Sequence, residues 1–367
     1  MRAPVGGLFR HVLDLAGEQA DQGHEVGILA DANACDELTD RRFAAIKPKL
    51  ALGLERVPMS RKPGLGDLNA ARAVAAHAGL IGLDVLHGHG AKGGAYARLA
   101  GRMVSGRNGH KLKVFYTPHG GTLNFPAGSL EGSVYLRLEK ILARLTSGIV
   151  FESDFARRTF AEKVGGLPTA ERVVPNGLHP VDFTPHAPFA DAADFVFIGE
   201  LRDLKGVAVL LRALRRLNNE RPTRAVIVGS GPHGVQFKAL ATELLLNDVV
   251  RFAGPMPAAA AFALGRALVV PSLKESFPYV VLEGAAAGLP LAATNVGGIP
   301  EIVAGTDTLL VPAGDDAALA SLMRLILHEP DMARERAARL NAHVQAKFTV
   351  GRMTADILSF YDTASAR

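Results

Sequence analysis

The 367-residue chain has no tryptophan, one cysteine and only 6% aromatic residues. A lone thiol, Cys35, can build neither an internal disulfide framework nor a cysteine-based metal site. It is compatible with a reducing compartment, so the expected location is the cytoplasm. No apolar run reaches the roughly 18 residues that a membrane-spanning helix needs. The best, Ala258 to Leu273, is cut by Arg266 and Pro271. Nor does the start read as a signal peptide, because Arg10, His11 and Asp14 interrupt its apolar pattern, which otherwise suits an amphipathic helix. Positive charge is in modest excess, +5 in all, and no Lys/Arg cluster is interleaved with aromatics, which argues against nucleic acid as a partner. That excess is uneven: residues 1–175 carry 23 Lys and Arg against 17 acids, and the remainder 18 against 19. A basic first half suits an anionic acceptor or peripheral contact with an anionic membrane, and equally a merely solvated face.

With 48% hydrophobic and 21% charged residues the chain is globular, and its length suits two domains of about 150–200 residues each. Apolar runs alternate with helical patterns, which predicts parallel sheets flanked by helices. Val26 to Ala30, Val85 to His87, Val114 to Thr117, Gly148 to Phe151 and Arg172 to Val174 read as strands of the first half. Phe195 to Gly199, Ala225 to Gly229, Val249 to Ala253, Leu268 to Pro271, Leu291 to Thr294 and Thr308 to Val311 read as strands of the second. Between them, Pro175 to Pro188 is rich in proline. The expected domains are therefore 1–175, a linker 176–190, and 191–347, followed by a periodic helix within 348–367.

The most informative stretch runs from Val269 to Pro290. A buried-type strand, Leu268 to Pro271, leads into a loop holding Glu275, and Pro278 suits a first helical position. The helix that follows carries Glu283, eight positions after Glu275, and stops at Gly288 and Pro290. Such a junction directs helix N–H donors and two carboxylates to one crevice. The donors attract phosphate and the carboxylates accept from sugar hydroxyls, so the pair suits a sugar nucleotide.

This stretch, continued by Thr294-Asn295-Val296-Gly297-Gly298-Ile299-Pro300-Glu301, resembles the Glu-x7-Glu signature of retaining nucleotide-sugar glycosyltransferases of family 4. The resemblance implies the GT-B fold: α/β, two Rossmann-like doubly wound domains facing a cleft, with a C-terminal helix crossing back onto the first. It implies that Glu283 holds the ribose hydroxyls and Glu275 the donor-sugar hydroxyls, with Ser276, Phe277, Tyr279 and Val280 around the donor. Many members carry Gly where this chain has Ser276 and Pro278. Since Pro278 has no N–H to offer, the phosphate donors would be Tyr279 and its neighbours.

Other segments match the same family. Phe197 to Gly206 resembles its Gly-x-Leu-x-x-x-Lys-Gly element, in which Arg202 and Lys205 would neutralise the leaving diphosphate. Phe252-Ala253-Gly254 lies where the family holds the base through main-chain groups. Gly6-Gly7 precedes an amphipathic helix, and Gly7 is expected to approach the donor diphosphate and acceptor. Tyr116-Thr117-Pro118-His119-Gly120-Gly121 puts His119 at a strand's carboxyl end, where ligands of open sheets gather; by resemblance it meets a donor-sugar hydroxyl. His87 and His89 sit at another strand end and suit the acceptor side. No carboxylate or Cys accompanies them locally, so no metal is expected.

The expected activity is retaining, metal-independent hexosyl transfer from a nucleotide-diphosphate sugar to a glycan or lipid-linked acceptor in cell-envelope or exopolysaccharide synthesis. No cofactor is needed beyond that co-substrate. Two alternatives stay open: a GT-B nucleotide-sugar epimerase, and a non-catalytic sugar-nucleotide binder. The start of the chain is unusual, because a doubly wound domain opens with a strand and the glycine loop follows it. Here Gly6-Gly7 has almost nothing before it. The first strand of the N-terminal domain is thus expected to be missing, through a start codon lying upstream or through reduction to residues 1–5. The first account is favoured, since a deleted central strand leaves backbone unpaired on both neighbours.

Overall fold

The computed structural model describes residues 1–2, 6–33, 37–60, 64–104, 112–121, 130–166, 169–184 and 186–365. Cys35 lies outside them. The chain divides into two compact units, Met1–Gly177 with Val350–Arg367, and Leu178–Thr349. Among the described residues no helix is long and apolar enough to cross a membrane.

The first unit holds the strands β1 (Ile28–Asp31), β2 (Leu54–Val57), β3 (Val85–His89), β4 (Lys113–Thr117), β5 (Gly148–Phe151) and β6 (Ala170–Val173). All pairings are parallel, but they form two sheets, β1-β2 and β3-β4-β5-β6. Of these strands, β2 carries no sequence signal. Its Leu-Glu-Arg-Val sets two adjacent charges between apolar residues and is only half-buried, as suits a sheet edge. The helix Val350–Thr363 lies on β4 and β5, where Phe360 and Tyr361 stack on Phe115 with ring centroids 5.4 and 4.6 Å away. Beneath the end of β4, fully buried Arg98 donates to Glu139 at 2.8 Å and lies over the Tyr116 ring, while the Tyr116 hydroxyl donates to the other Glu139 oxygen at 3.0 Å. A buried ion pair costs desolvation and is sustained by such extra bonds, which hold β4 to the helices Gly90–Val104 and Leu130–Ala143.

The second unit is one six-stranded parallel sheet built from β7 (Ala193–Ile198), β8 (Ala225–Val228), β9 (Val250–Gly254), β10 (Gly265–Val270), β11 (Leu291–Thr294) and β12 (Leu310–Val311). Their order is β12-β11-β10-β7-β8-β9. Side chains alternate between two apolar layers, as a sheet covered on both faces requires. Phe195, Phe197, Ile227 and Val269 enter one layer, and Val196, Val226, Leu268 and Val270 the other. This is the doubly wound α/β arrangement, and it brings the carboxyl ends of β7, β8 and β10 together at one edge.

Candidate functional site

In the second unit, chemistry gathers where β10 ends. The loop after Val270 reaches the helix Tyr279–Ala286, and Pro278 is its cap, with φ −76° and ψ 121°, rather than its first residue. The extended ψ turns the chain into the helix, so the first helical amide belongs to Tyr279. Glu275 projects from this loop, 9% exposed, and accepts from Lys205 Nζ and from Ser272 Oγ, both at 2.7 Å. Lys205 ends a short 3-10 turn, Asp203–Lys205, that follows β7. The structure therefore joins two residues that the sequence assigns to separate tasks. Arg202 stands apart: it is exposed and meets Glu200 at 3.5 Å. Glu283 is half-buried one helical turn inside, Ser276 is half-buried, and Phe277 is buried against Phe348. Gly254 ends β9 with φ +75°, and its carbonyl accepts the Gly229 N–H at 2.9 Å.

The glycines of the motif have a mechanical reason. Gly206, at φ +70°, passes so close to Pro271 that a Cβ would lie 1.8 Å from the Pro271 carbonyl oxygen. Gly297, at φ +60°, would put a Cβ 2.0 Å from the Glu275 carbonyl oxygen. Only glycine combines that approach with that backbone angle. Around them the loop is tied down by Leu273 N–H to Leu204 O at 2.8 Å, Gly298 N–H to Ser276 O at 2.7 Å, and Thr294 Oγ1 to Ser272 O at 2.6 Å. The Val296 to Glu301 stretch thus acts as the seat of the Glu275 loop.

In the first unit the centre is a histidine cluster. His119 sits beyond β4 at φ 50°, a rare angle for a side-chain-bearing residue, and its Nδ1 meets Glu152 at 2.8 Å. A carboxylate only accepts, so Nδ1 carries the proton and Nε2 faces His89 Nδ1 at 3.1 Å. His11 Nδ1 meets Asn176 Oδ1 at 2.9 Å, and its buried Nε2 has no partner. His87 is held by Tyr361 and Thr117 at 2.5 and 2.8 Å. Burial pushes His11 down to about 4, reinforced by the charge of His119 and opposed by Asn176, Glu152 and Asp14. His87 and His89 are driven well below the ordinary range, again chiefly by burial. For Glu152 burial acts upward, but the charge and hydrogen bond of His119 outweigh it and the net shift is downward. The site thus sets the neutral imidazoles of His11, His87 and His89 beside the His119–Glu152 pair, an arrangement suited to hydrogen-bonding hydroxyls.

Among the described residues, His11, His89 and His119 could hold a metal, each offering a nitrogen within 4.8 Å of the others. Gly7 lies exposed in the first turn of the helix Gly6–Asp21, the helix that also carries His11. His11, Glu152 and Asn176 are absent from the sequence expectation. Glu152 had a readable signal, since it directly follows β5 at its carboxyl end. His11 looked like a polar interruption of an amphipathic helix, and only folding shows that it points inward.

Two family models match in succession: "Glycosyl transferase 4-like domain" over residues 6–177 and "Glycosyl transferases group 1" over residues 181–345. A D-inositol 3-phosphate glycosyltransferase of Acidothermus cellulolyticus is 29% identical over 99% of this chain and 86% of its own. Its counterpart in Streptomyces avermitilis is 38% identical over 46% of this chain, a match spanning only 39% of that relative's length. Among solved structures, Anabaena HepE in complex with UDP and glucose superposes with a TM-score of 0.81 at 19% identity, covering 98% of this chain and 96% of that one. The last likeness speaks for the fold and the two family matches for the chemistry: the chain is a nucleotide-sugar glycosyltransferase of the GT-B fold.

Proposed function

We propose that the protein is a retaining, metal-independent hexosyltransferase of family 4 that moves a sugar from a nucleotide diphosphate to a glycan or lipid-linked acceptor, with a role in cell-envelope or exopolysaccharide synthesis. The observation that carries this reading is the Lys205–Glu275 pair at the mouth of β10, with Ser272 beneath it. A cation there offsets the charge that develops on a leaving diphosphate, and the carboxylate accepts from sugar hydroxyls once the lysine turns to phosphate. Arg202, exposed on the same turn, adds a guanidinium fork. Glu283 takes the ribose hydroxyls, and the amino end of the helix at Tyr279 and Val280 favours the phosphates through its dipole. Ser276 and Phe277 complete the donor pocket, with Gly254 at the base.

In the first unit this reading gives His119 a donor-sugar hydroxyl, with Glu152 holding its tautomer, and gives Gly7 the approach of the diphosphate. No nucleophile for a covalent intermediate is needed if substitution occurs on one face, the leaving phosphate taking the acceptor's proton; the chain then supplies positioning and charge. The donor class is supported by HepE, which was solved with UDP and glucose, and the basic first half suits an anionic acceptor or a lipid surface.

The test is a donor and acceptor panel. UDP, GDP and ADP sugars are screened by thermal shift, then labelled sugar transfer is followed to inositol phosphate, glucan and lipid-linked fractions with the product anomer read by NMR. Glu283→Gln should weaken binding of the bare nucleotide diphosphate more than tenfold, since a bond to a charged acceptor is worth about 1.5–3 kcal/mol. Equal calorimetric affinity in Glu283→Gln and the unsubstituted chain would sink the ribose assignment, and an inverted anomer would sink retention.

A further inference from the structure

Three histidines of the first unit turn toward one another from three separate elements. His11 lies on the helix Gly6–Asp21, His89 ends β3, and His119 sits beyond β4. Their ring centroids form a triangle with sides of 4.8, 5.4 and 5.4 Å. Each ring offers a nitrogen, and these nitrogens all lie within 4.8 Å of one another. His11 and His89 are buried, while His119 is only partly so and gives the cluster its opening.

The hydrogen bonds decide which nitrogens are left to coordinate. His11 Nδ1 meets the Asn176 oxygen at 2.9 Å, and an amide oxygen only accepts, so Nδ1 carries the proton and Nε2 presents a lone pair. That lone pair is buried without a partner, which native structures seldom leave unexplained. Glu152 likewise holds a proton on His119 Nδ1, and His119 Nε2 then faces His89 Nδ1 at 3.1 Å. Two imidazole nitrogens on one tetrahedral zinc ion stand about 3.3–3.4 Å apart, so this pair is already near ligand spacing. From a separation of at most 4.8 Å, the third nitrogen has to close by no more than about 1.5 Å. His89 also lines a cavity of about 480 Å³ that Ile28 and Val85 border too, so its ring has room to shift.

We propose that His11 Nε2, His89 Nδ1 and His119 Nε2 form a zinc site whose occupation blocks sugar transfer. Three imidazoles suit zinc and leave its fourth position to water, whereas magnesium and calcium take oxygen ligands. Asn176 and Glu152 supply what metal-bound imidazoles ordinarily have, a hydrogen bond to the other ring nitrogen that fixes the ring. On binding, the proton between His89 Nδ1 and His119 Nε2 leaves, to His89 Nε2 or to water, and the ion takes both lone pairs. The metal takes no part in transfer. It occupies the His119 nitrogen that otherwise accepts from a donor-sugar hydroxyl, so zinc and the donor sugar compete, while a bare nucleotide diphosphate does not. The coordination stands on geometry alone, and the inhibition rests on the role given to His119 above.

The test uses the full chain, stripped of metal with EDTA and then freed of the chelator. Titration with Co²⁺ should saturate with the intense visible absorption of a tetrahedral site, and Zn²⁺ should displace it. His11→Asn keeps an amide for Asn176 but removes Nε2, and His89→Gln removes Nδ1. Each should weaken Zn²⁺ by about tenfold or more in competition with a chromophoric chelator. His87→Asn is the control, because Tyr361 and Thr117 occupy both nitrogens of His87, and it should bind zinc as tightly as the unsubstituted chain. Where a variant does not fold, the cobalt spectrum of the unsubstituted chain decides. No saturable absorption, equal zinc affinity in all variants, or a thiolate charge-transfer band marking Cys35 would overturn the site. Labelled-sugar transfer should be lost in excess Zn²⁺ and return with EDTA. Zinc held by these three histidines with transfer unchanged would leave the site standing and overturn its competition with the sugar, and with it the role of His119.

Discussion

Replacing Glu275 by glutamine keeps the side chain's shape and removes its charge. In the structure that carboxylate accepts from Lys205 and Ser272, both at 2.7 Å. The glutamine oxygen can still accept from Ser272, so the loss falls on the charge-assisted bond to Lys205, a class worth about 1.5–3 kcal/mol. Lys205 is 30% exposed, and water restores part of that. The folded state should therefore lose about 1–2 kcal/mol, which lowers the melting temperature by roughly 2–8 °C. Binding of a nucleotide diphosphate should move differently, because an ammonium without its carboxylate meets phosphate with no ion pair to break. We expect nucleotide affinity within about twofold of the unsubstituted chain, or tighter, while transfer at saturating donor falls at least tenfold, the equivalent of about 1.4 kcal/mol. Calorimetry with UDP, GDP and ADP, paired with labelled-sugar transfer from whichever donor binds, separates the two effects. A tenfold loss of nucleotide affinity with transfer unchanged would refute the reasoning and place Glu275 on the nucleotide instead.

Gly297→Ala should displace the Glu275 loop, since its Cβ would sit 2.0 Å from the Glu275 carbonyl at φ +60°. A cost of about 2 kcal/mol or more and a lower transfer rate are expected, and a melting curve equal to that of the unsubstituted chain would contradict the seating argument. Stability should rise with pH between about 4 and 6.5. There the unfolded chain protonates His11 and the folded one does not, so this contribution is complete above 6.5 and is lost as pH falls toward 4. Its size is about 3 kcal/mol, with His87 and His89 acting in the same direction. Urea denaturation of the unsubstituted chain and of His11→Leu across that range checks it: a slope no shallower in the variant would exclude His11. Finally, transfer should survive EDTA in the unsubstituted chain and become Mg²⁺-dependent in Lys205→Ala, because the missing ammonium then has to be replaced; activity abolished by EDTA before any substitution would count against Lys205 as the phosphate's counter-charge.

The strands of the second unit were legible to within a few residues at their ends, because Phe195 to Gly199, Ala225 to Gly229 and Leu291 to Thr294 are short apolar runs bounded by turn residues, against observed strands Ala193–Ile198, Ala225–Val228 and Leu291–Thr294. That is the mark of strands covered on both faces, and it needs no partner to be read. The Glu275 and Glu283 spacing was equally visible, since a strand, a loop and a helix follow one another along the chain. Strand β2 escaped because Leu54–Val57 is a half-buried edge whose charges mimic a loop. The pairing of Met1 with β1 and the cavity beside it depend on where β1 and β3 come to lie. The same holds for His11, Glu152 and Asn176 around His119 and for Lys205 against Glu275, 70 residues apart. Local pattern determines which segments bury themselves, because burial is written in consecutive residues. Which polar groups then share a buried space is decided only by packing, since distant side chains meet, and lose their protons or their freedom, once the sheets have been assembled.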